Sequence, residues 1–255
     1  MLIITLIIAI LTLIERKILA LVQRRVGPYY VGYKGRLQYL ADALKLFLKE
    51  ISIPYKINKK LYIFFPSIIS IFSYMFWINT VWSTNISIIE FEYNIILFFL
   101  ISFCFNFCII LTGYYSKNKF AIISAIRSCI IFINIELLLG FFFFSFILFV
   151  ESFSFNVFVI FQENYWFFFL FFFYIGFFFM IFLLETNRSP FDLVEAESEL
   201  IAGYSSEYGS FCFALYYLGE YFHLFFFSFV LAIIIFGGWE FINIFNNIFF
   251  IIKIF

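Results

Sequence analysis

Six carboxylates crowd the stretch from Glu185 to Glu207, against a single basic residue, Arg188. The local sequence punctuates a helix within it. Ser189 suits the N-cap, Pro190 the first helical position, Asp192 the acid of a capping box, and Gly203 the stop. A helix from Pro190 to Ala202 carries Asp192, Glu195 and Glu199 on one face and turns Glu197 away. On a buried face, each of these charges disfavours ionisation of the others. Their pKa values then rise toward neutrality, where a carboxyl group both takes and gives a proton. A solvated acidic loop is the plainer alternative.

Other ionisable groups interrupt apolar runs. Glu136 lies near the middle of one, where an ionisable group costs about 2.5–3.5 kcal/mol on insertion scales, so it is expected to face protein or water rather than lipid. Arg127 is nearer the end of the same run and can snorkel. Glu220 has Tyr216, Tyr217 and His223 within one turn; the i, i+3 spacing allows Glu220 and His223 to touch, although a lone histidine on an apolar helix also serves as a packing residue. Cys104, Cys108, Cys129 and Cys212 form no CxxC pair and are poor candidates for a cluster, a zinc site or a disulfide. With no GxGxxG or Walker loop either, the chain has no recognisable redox or nucleotide site of its own.

The elements that must position these groups are membrane spans. Of 255 residues, 65% are hydrophobic and 13% charged, well away from a soluble domain. Apolar runs long enough to cross a bilayer occur near 2–22, 61–83, 94–115, 120–150, 165–185 and 211–236, with an unfinished run at 241–255. This predicts an all-α polytopic membrane protein of six full spans and a partial seventh, forming one domain over residues 1–255. Lys and Arg fall in every second loop, while the loops at 84–93 and 151–164 have Glu90, Glu92, Glu151 and Glu163 but no base. The N-terminus is therefore expected outside and the acidic stretch inside. Met1 enters an apolar run directly, with no presequence pattern, and the heavy use of Phe, Ile and Tyr suggests an organellar genome.

After the first span comes a mixed segment in which Leu37, Leu40, Leu44 and Phe47 recur at helical spacing, with Asp42, Lys45 and Lys49 toward the other side. It reads as an amphipathic helix on the membrane surface, whose minimal role is an interfacial anchor.

Two separated motifs coincide with one family. The first runs Glu15-Arg16-Lys17, Gln23, Arg25, Gly27-Pro28, Gly32, Gly35, Leu37-Gln38, Ala41-Asp42, Lys45, Lys49-Glu50. The second runs Glu185-Thr186-Asn187-Arg188-Ser189-Pro190-Phe191-Asp192-Leu193, Glu195, Glu197-Ser198-Glu199-Leu200, Gly203, Glu207-Tyr208, Glu220-Tyr221. Together they closely resemble the membrane subunit of respiratory complex I that is called chain 1 in mitochondria and that has a direct counterpart in bacteria. Ala125-Ile126-Arg127 and Glu136 fit as well, although the family's Gln and Tyr are here Ile131 and Ile135.

The resemblance implies a subunit of a proton-pumping NADH:ubiquinone oxidoreductase in the mitochondrial inner membrane, with its N-terminus on the intermembrane-space side. It would hold the deep end of a ubiquinone chamber, with Arg16, Arg25, Asp42, Lys45, Arg188 and Phe191 around the quinone. Glu136, Glu185, Asp192, Glu195, Glu197, Glu199, Glu207 and Glu220 would form the proton or charge relay. Ubiquinone is then a substrate and no cofactor is bound to the chain itself. The implied partners are an iron–sulfur subunit at the quinone site, the pumping membrane subunits and lipid, with no nucleic acid. The family continues beyond the run at 241–255, so a second polypeptide of about 50–60 residues is expected to supply the remaining spans. A hydrogenase-complex membrane subunit, a carboxylate-based ion transporter and a structural anchor are the competing readings.

Overall fold

The computed structural model describes residues 2–55, 57–83, 86–87, 91–163, 166–188, 191 and 203–239. Helix α1, Leu2–Val22, takes up the first apolar run. After it the chain makes a compact loop in which Gly35 has φ +72, and a Cβ there would lie 2.1 Å from the Pro28 carbonyl oxygen. Only glycine fits this turn. Lys17 Nζ donates to the Lys34 carbonyl at 2.7 Å, tying the loop back to α1. The amphipathic segment is helix α2, Gln38–Leu48, and none of its side chains is fully buried. Leu44 and Phe47 are about three-fifths exposed, so this chain does not cover their face. That leaves it for lipid or another protein.

Helices α3, Lys59–Ile78, α4, Asn94–Tyr115, and α5, Lys119–Val150, pack in sequence, each against the next. The expected second span to residue 83 stops early. The Asn79 amide donates to the Asn94 carbonyl at 2.8 Å and the Thr80 hydroxyl to that of Trp77, also at 2.8 Å, competing with further helix. A short two-stranded antiparallel ribbon, Val81–Ser83 with Ile86–Ser87, follows in an otherwise helical chain. At the other end, Gly113 of α4 lies so near α5 that a Cβ would meet that of Ala125 at 2.6 Å. Asn118 caps α5 by accepting from the Phe120 N–H.

The fifth run also departs from expectation. After the short helix α6, Phe155–Phe161, it forms two pieces, α7, Phe167–Leu170, and α8, Phe172–Glu185. Phe171 breaks helical geometry at φ −115, ψ 35, yet its N–H still reaches the Phe167 carbonyl at 2.9 Å. Its ring packs edge-on against Phe146 and Phe149, at 5.3 and 5.5 Å between centroids. Such aromatic pairs are worth about 0.5–1.5 kcal/mol each, enough to outweigh one imperfect turn. Helix α9, Ser210–Phe236, is the most buried of the long helices and packs against α1, α2, α3, α6 and α7. Gln162 secures its far end, with Nε2 near 3.1 Å from the Ile233 and Ile234 carbonyls.

Among the described residues, four helices, α3, α4, α5 and α9, are long and apolar enough to cross a membrane. Helix α1 has the length but carries Glu15, Arg16 and Lys17, and α8 is short. Outward-facing side chains such as Phe141, Phe173 and Phe177 suit contact with lipid. The run at 241–255 lies outside the described residues.

Candidate functional site

The C-terminal half of α1, the end of α8 and the middle of α9 meet around one half-buried carboxylate that sequence reasoning passed over as a site residue, Glu15. Arg188, just past α8, pairs with Glu15 Oε1, while the Tyr221 hydroxyl donates to Oε2 at 2.8 Å. The Arg188 guanidinium also stands 5.1 Å from the Tyr221 ring centroid. Burial works against its charge, but the Tyr221 hydroxyl and the Glu15 carboxylate outweigh that and hold its pKa above the ordinary value. Two signals could have revealed Glu15: a carboxylate that follows a long apolar run within one helix, and its place at the head of the first motif.

Deeper in, α4 presents Ser102 and Asn106 on one face, four residues apart. Asn106 Nδ2 lies 3.1 Å from Oε1 of Glu136 on α5 and 3.4 Å from Oε1 of Glu185 at the end of α8. The Ser102 hydroxyl adds a donor to Glu136 at 3.3 Å. His223 of α9 approaches from the other side, with Nε2 3.9 Å from Glu185 Oε1. Glu185 is 2% exposed and His223 4%. The second Glu185 oxygen, Asn106 Oδ1 and His223 Nε2 are buried with no hydrogen-bond partner among the described residues. His223 therefore meets Glu185, rather than the Glu220 that its spacing on α9 suggested.

One cavity of about 240 Å³ joins these two groups. Glu15, Arg188 and Tyr221 line one part, and Asn106, Glu185 and His223 another, with Glu220 also in the wall and Phe105, Ile109 and Phe132 as its apolar lining. Glu220 Oε1 accepts from the Tyr216 hydroxyl and, at 2.9 Å, from that of Tyr204. The cavity thus offers carboxylates, hydroxyls and one imidazole to whatever fills it. It has the mixed polar and apolar character of a small-molecule or water-holding site.

The remaining expected residues lie elsewhere. Arg16 pairs with Asp42 at 2.7 Å, and Gln38 donates to Asp42 at 2.9 Å, fastening α2 to α1 without reaching the cavity. Arg25 and Lys45 are exposed, and Phe191 is half-buried, its N–H bonded to the Arg188 carbonyl; none of the three lines the cavity. Of the six expected quinone contacts, only Arg188 does. Glu207 belongs to a separate clamp, where its carboxylate accepts from Asn118 Nδ2 at 2.6 Å and its backbone carbonyl from the Tyr62 hydroxyl at 2.5 Å. There Tyr208 stacks on Tyr62 at 4.3 Å and donates to the Thr112 carbonyl at 3.2 Å. Burial pushes the Tyr208 phenol above its ordinary pKa, so it stays a neutral donor. Asp192, Glu195, Glu197 and Glu199 lie outside the described residues. Among the described residues, no group of three His, Cys, Asp or Glu could hold a metal ion.

A family model described as NADH dehydrogenase matches residues 1–255. The chain is similar to NADH-ubiquinone oxidoreductase chain 1 of Paramecium tetraurelia, 54% identical over 94% of this chain and 92% of the relative. It is 38% identical to NADH-ubiquinone oxidoreductase chain 1 of Metridium senile, over 91% of this chain and 70% of that one. Similarity reaches bacteria in an NADH-quinone oxidoreductase subunit of Pelagibacter ubique, 36% identical over 91% of this chain and 70% of the relative. With a family model matched along its whole length and a relative 54% identical over 94% of it, the chain belongs to the NADH dehydrogenase family.

Proposed function

We propose that the chain is the membrane subunit of a proton-pumping NADH:ubiquinone oxidoreductase, with the cavity between Glu15 and Glu185 as its link from quinone chemistry to proton movement. One observation carries this reading: the cavity lined by Glu15 and Arg188 is also lined by the buried Glu185, whose Oε1 faces the amide that holds Glu136. Reducing a quinone to a quinol takes two electrons and two protons. The electrons come from an iron–sulfur partner subunit, and the protons are drawn through carboxylates of this chain. Glu136 and Glu185 meet at one neutral amide nitrogen, and the only base within ion-pair reach of either among the described residues is His223. Two negative charges there repel in a medium of low dielectric. The pair is suited to hold one proton between them and to release it when the charge nearby changes. Asp192, Glu195, Glu197, Glu199 and Glu220 extend the relay; Arg188 orients Glu15 at the mouth, and Arg16, Arg25, Asp42, Lys45 and Phe191 border the chamber once partner subunits close it.

In this reading the chain crosses the inner mitochondrial membrane six times within residues 1–236, counting α1 and the broken α7–α8 pair, as one domain with its N-terminus on the intermembrane-space side. The uncovered apolar face of α2 meets lipid and the chamber. Glu185→Gln tests the relay in the assembled complex. Quinone-linked turnover is expected to fall by about 10²-fold, the range of a lost proton-transfer group, while NADH oxidation by a hydrophilic acceptor stays unchanged. Normal quinone reduction and pumping in Glu185→Gln sink the relay.

A further inference from the structure

His223 is the chain's only histidine, and its Nε2 has no hydrogen-bond partner among the described residues. The ring stacks on Phe105, with centroids 4.7 Å apart at 22°, and is flanked by Phe76 at 5.0 Å and Phe227 at 4.7 Å. Three aromatic neighbours fix the plane of the imidazole and hence the direction of Nε2. The atom it faces, Glu185 Oε1, is 3.9 Å away, too far for a direct hydrogen bond. That gap suits one water about 2.8 Å from each group. The cavity wall contains both residues, and its volume of about 240 Å³ is several times the ~30 Å³ that a water occupies. Buried polar atoms without a protein partner are ordinarily satisfied by such a water.

We propose that His223 and Glu185 hold a bridging water and that His223 is a proton-carrying station between Glu185 and Glu220, an assignment that rests on the relay function of Glu185. In the first step the Glu185 O–H bond breaks and an N–H bond forms at His223 Nε2 through the water. An imidazolium and a carboxylate result, so the charge created is an attractive pair rather than a lone anion in low dielectric. In the second step that N–H bond breaks, and the proton passes through cavity water to the Glu220 carboxylate. Glu220 lies one turn earlier on α9 and in the same wall. No electron moves in either step.

Two variants of the membrane-embedded complex separate this role from packing. His223→Phe keeps an aromatic ring among Phe105, Phe76 and Phe227 but deletes the nitrogen. His223→Gln keeps a polar end and loses the ring. A proton station predicts at least about ten-fold loss of quinone-linked turnover in both, with activity toward a hydrophilic acceptor unchanged. A packing residue predicts the reverse pattern, with His223→Phe close to wild type and His223→Gln damaged; that result overturns the proposal. If either variant fails to assemble, high-resolution cryo-electron microscopy of the wild-type complex decides. A water within hydrogen-bond reach of both His223 Nε2 and Glu185 supports the station, and a dry gap overturns it. Glu185→Gln measured in parallel keeps the two claims apart. Its loss of turnover beside a normal His223→Phe refutes the station alone, whereas normal turnover in Glu185→Gln refutes the relay beneath it.

Discussion

Glu15 and Glu185 stand in the wall of the same cavity, yet their surroundings are opposite in kind. Glu15 has a guanidinium on one oxygen and a phenol on the other, and its side chain is 27% exposed. Glu185 is fully buried, shares an amide with another carboxylate, and leaves one oxygen without a partner among the described residues. The first arrangement compensates a charge and keeps it. The second leaves a charge uncompensated, so its proton is the cheaper thing to move. In the proposed relay, the complementary pair at the mouth would fix a geometry and the uncompensated pair inside would change its protonation state.

The sharpest way to break that contrast is Asn106→Leu. It removes the donor common to Glu136 and Glu185, and quinone-linked turnover is expected to fall by about 10²-fold, as for the loss of a proton-transfer group itself. If the two hold one proton jointly, as proposed, combining Glu136→Gln with Glu185→Gln should be little worse than the poorer single variant. Strictly multiplying losses, in steady-state kinetics of the assembled complex, would show two independent sites instead.

At the mouth, charge reversal should behave in the opposite way. Arg188→Glu or Glu15→Arg alone places like charges together, and turnover is expected to drop about ten-fold. The double reversal should restore most of it, with a coupling energy of about 2–2.5 kcal/mol in a double-mutant cycle. A double variant as poor as the singles would mean that the mouth recognises a ligand through the sign of its charges.

Effects shrink away from the cavity. Tyr208→Phe, which deletes the hydroxyl bonded to the Thr112 carbonyl, should lower stability by about 1 kcal/mol in thermal unfolding and leave turnover unchanged. Arg16→Ala breaks a pair whose side chains are 43% and 37% exposed. It should cost about 0.5 kcal/mol or less, and the difference should fade as salt is raised.

Much of this arrangement was legible in the sequence because lipid imposes simple rules. Apolar length located α1, α4, α5 and α9 within a residue or two, and the spacing of Leu40, Leu44 and Phe47 located α2. What escaped depended on side chains finding particular partners. Hydrogen bonds from Asn79 and Thr80 end α3, and the seat of Phe171 between Phe146 and Phe149 breaks the fifth span; neither is a matter of hydropathy. Glu136 and Glu220 stand out in the sequence as carboxylates in apolar runs, and Glu185 as the first acid of the acidic stretch. Asn106 was missed because a neutral amide in α4 is cheap enough to pass unnoticed, and only the fold shows two carboxylates converging on it. His223 could be found by type but not by partner, since spacing along one helix says nothing of what a neighbouring helix brings.

Helix α5 has 32 residues, a rise of about 48 Å, where a hydrocarbon core is about 30 Å thick. From Arg127 to Val150 the rise is about 34 Å, which fits the core at a modest tilt. The turns before Arg127 then stand about 12 Å clear of the lipid as a rigid post. This post is clasped against Gly113 by Ala121 and Ala125. Being one continuous rod, it swings whenever the embedded part changes its inclination. A thinner or thicker bilayer therefore leans α5 differently and carries that lean to the Glu207 clamp, which Asn118 at the foot of α5 helps to hold. Membrane composition becomes an input to the enzyme without any lipid having to bind there.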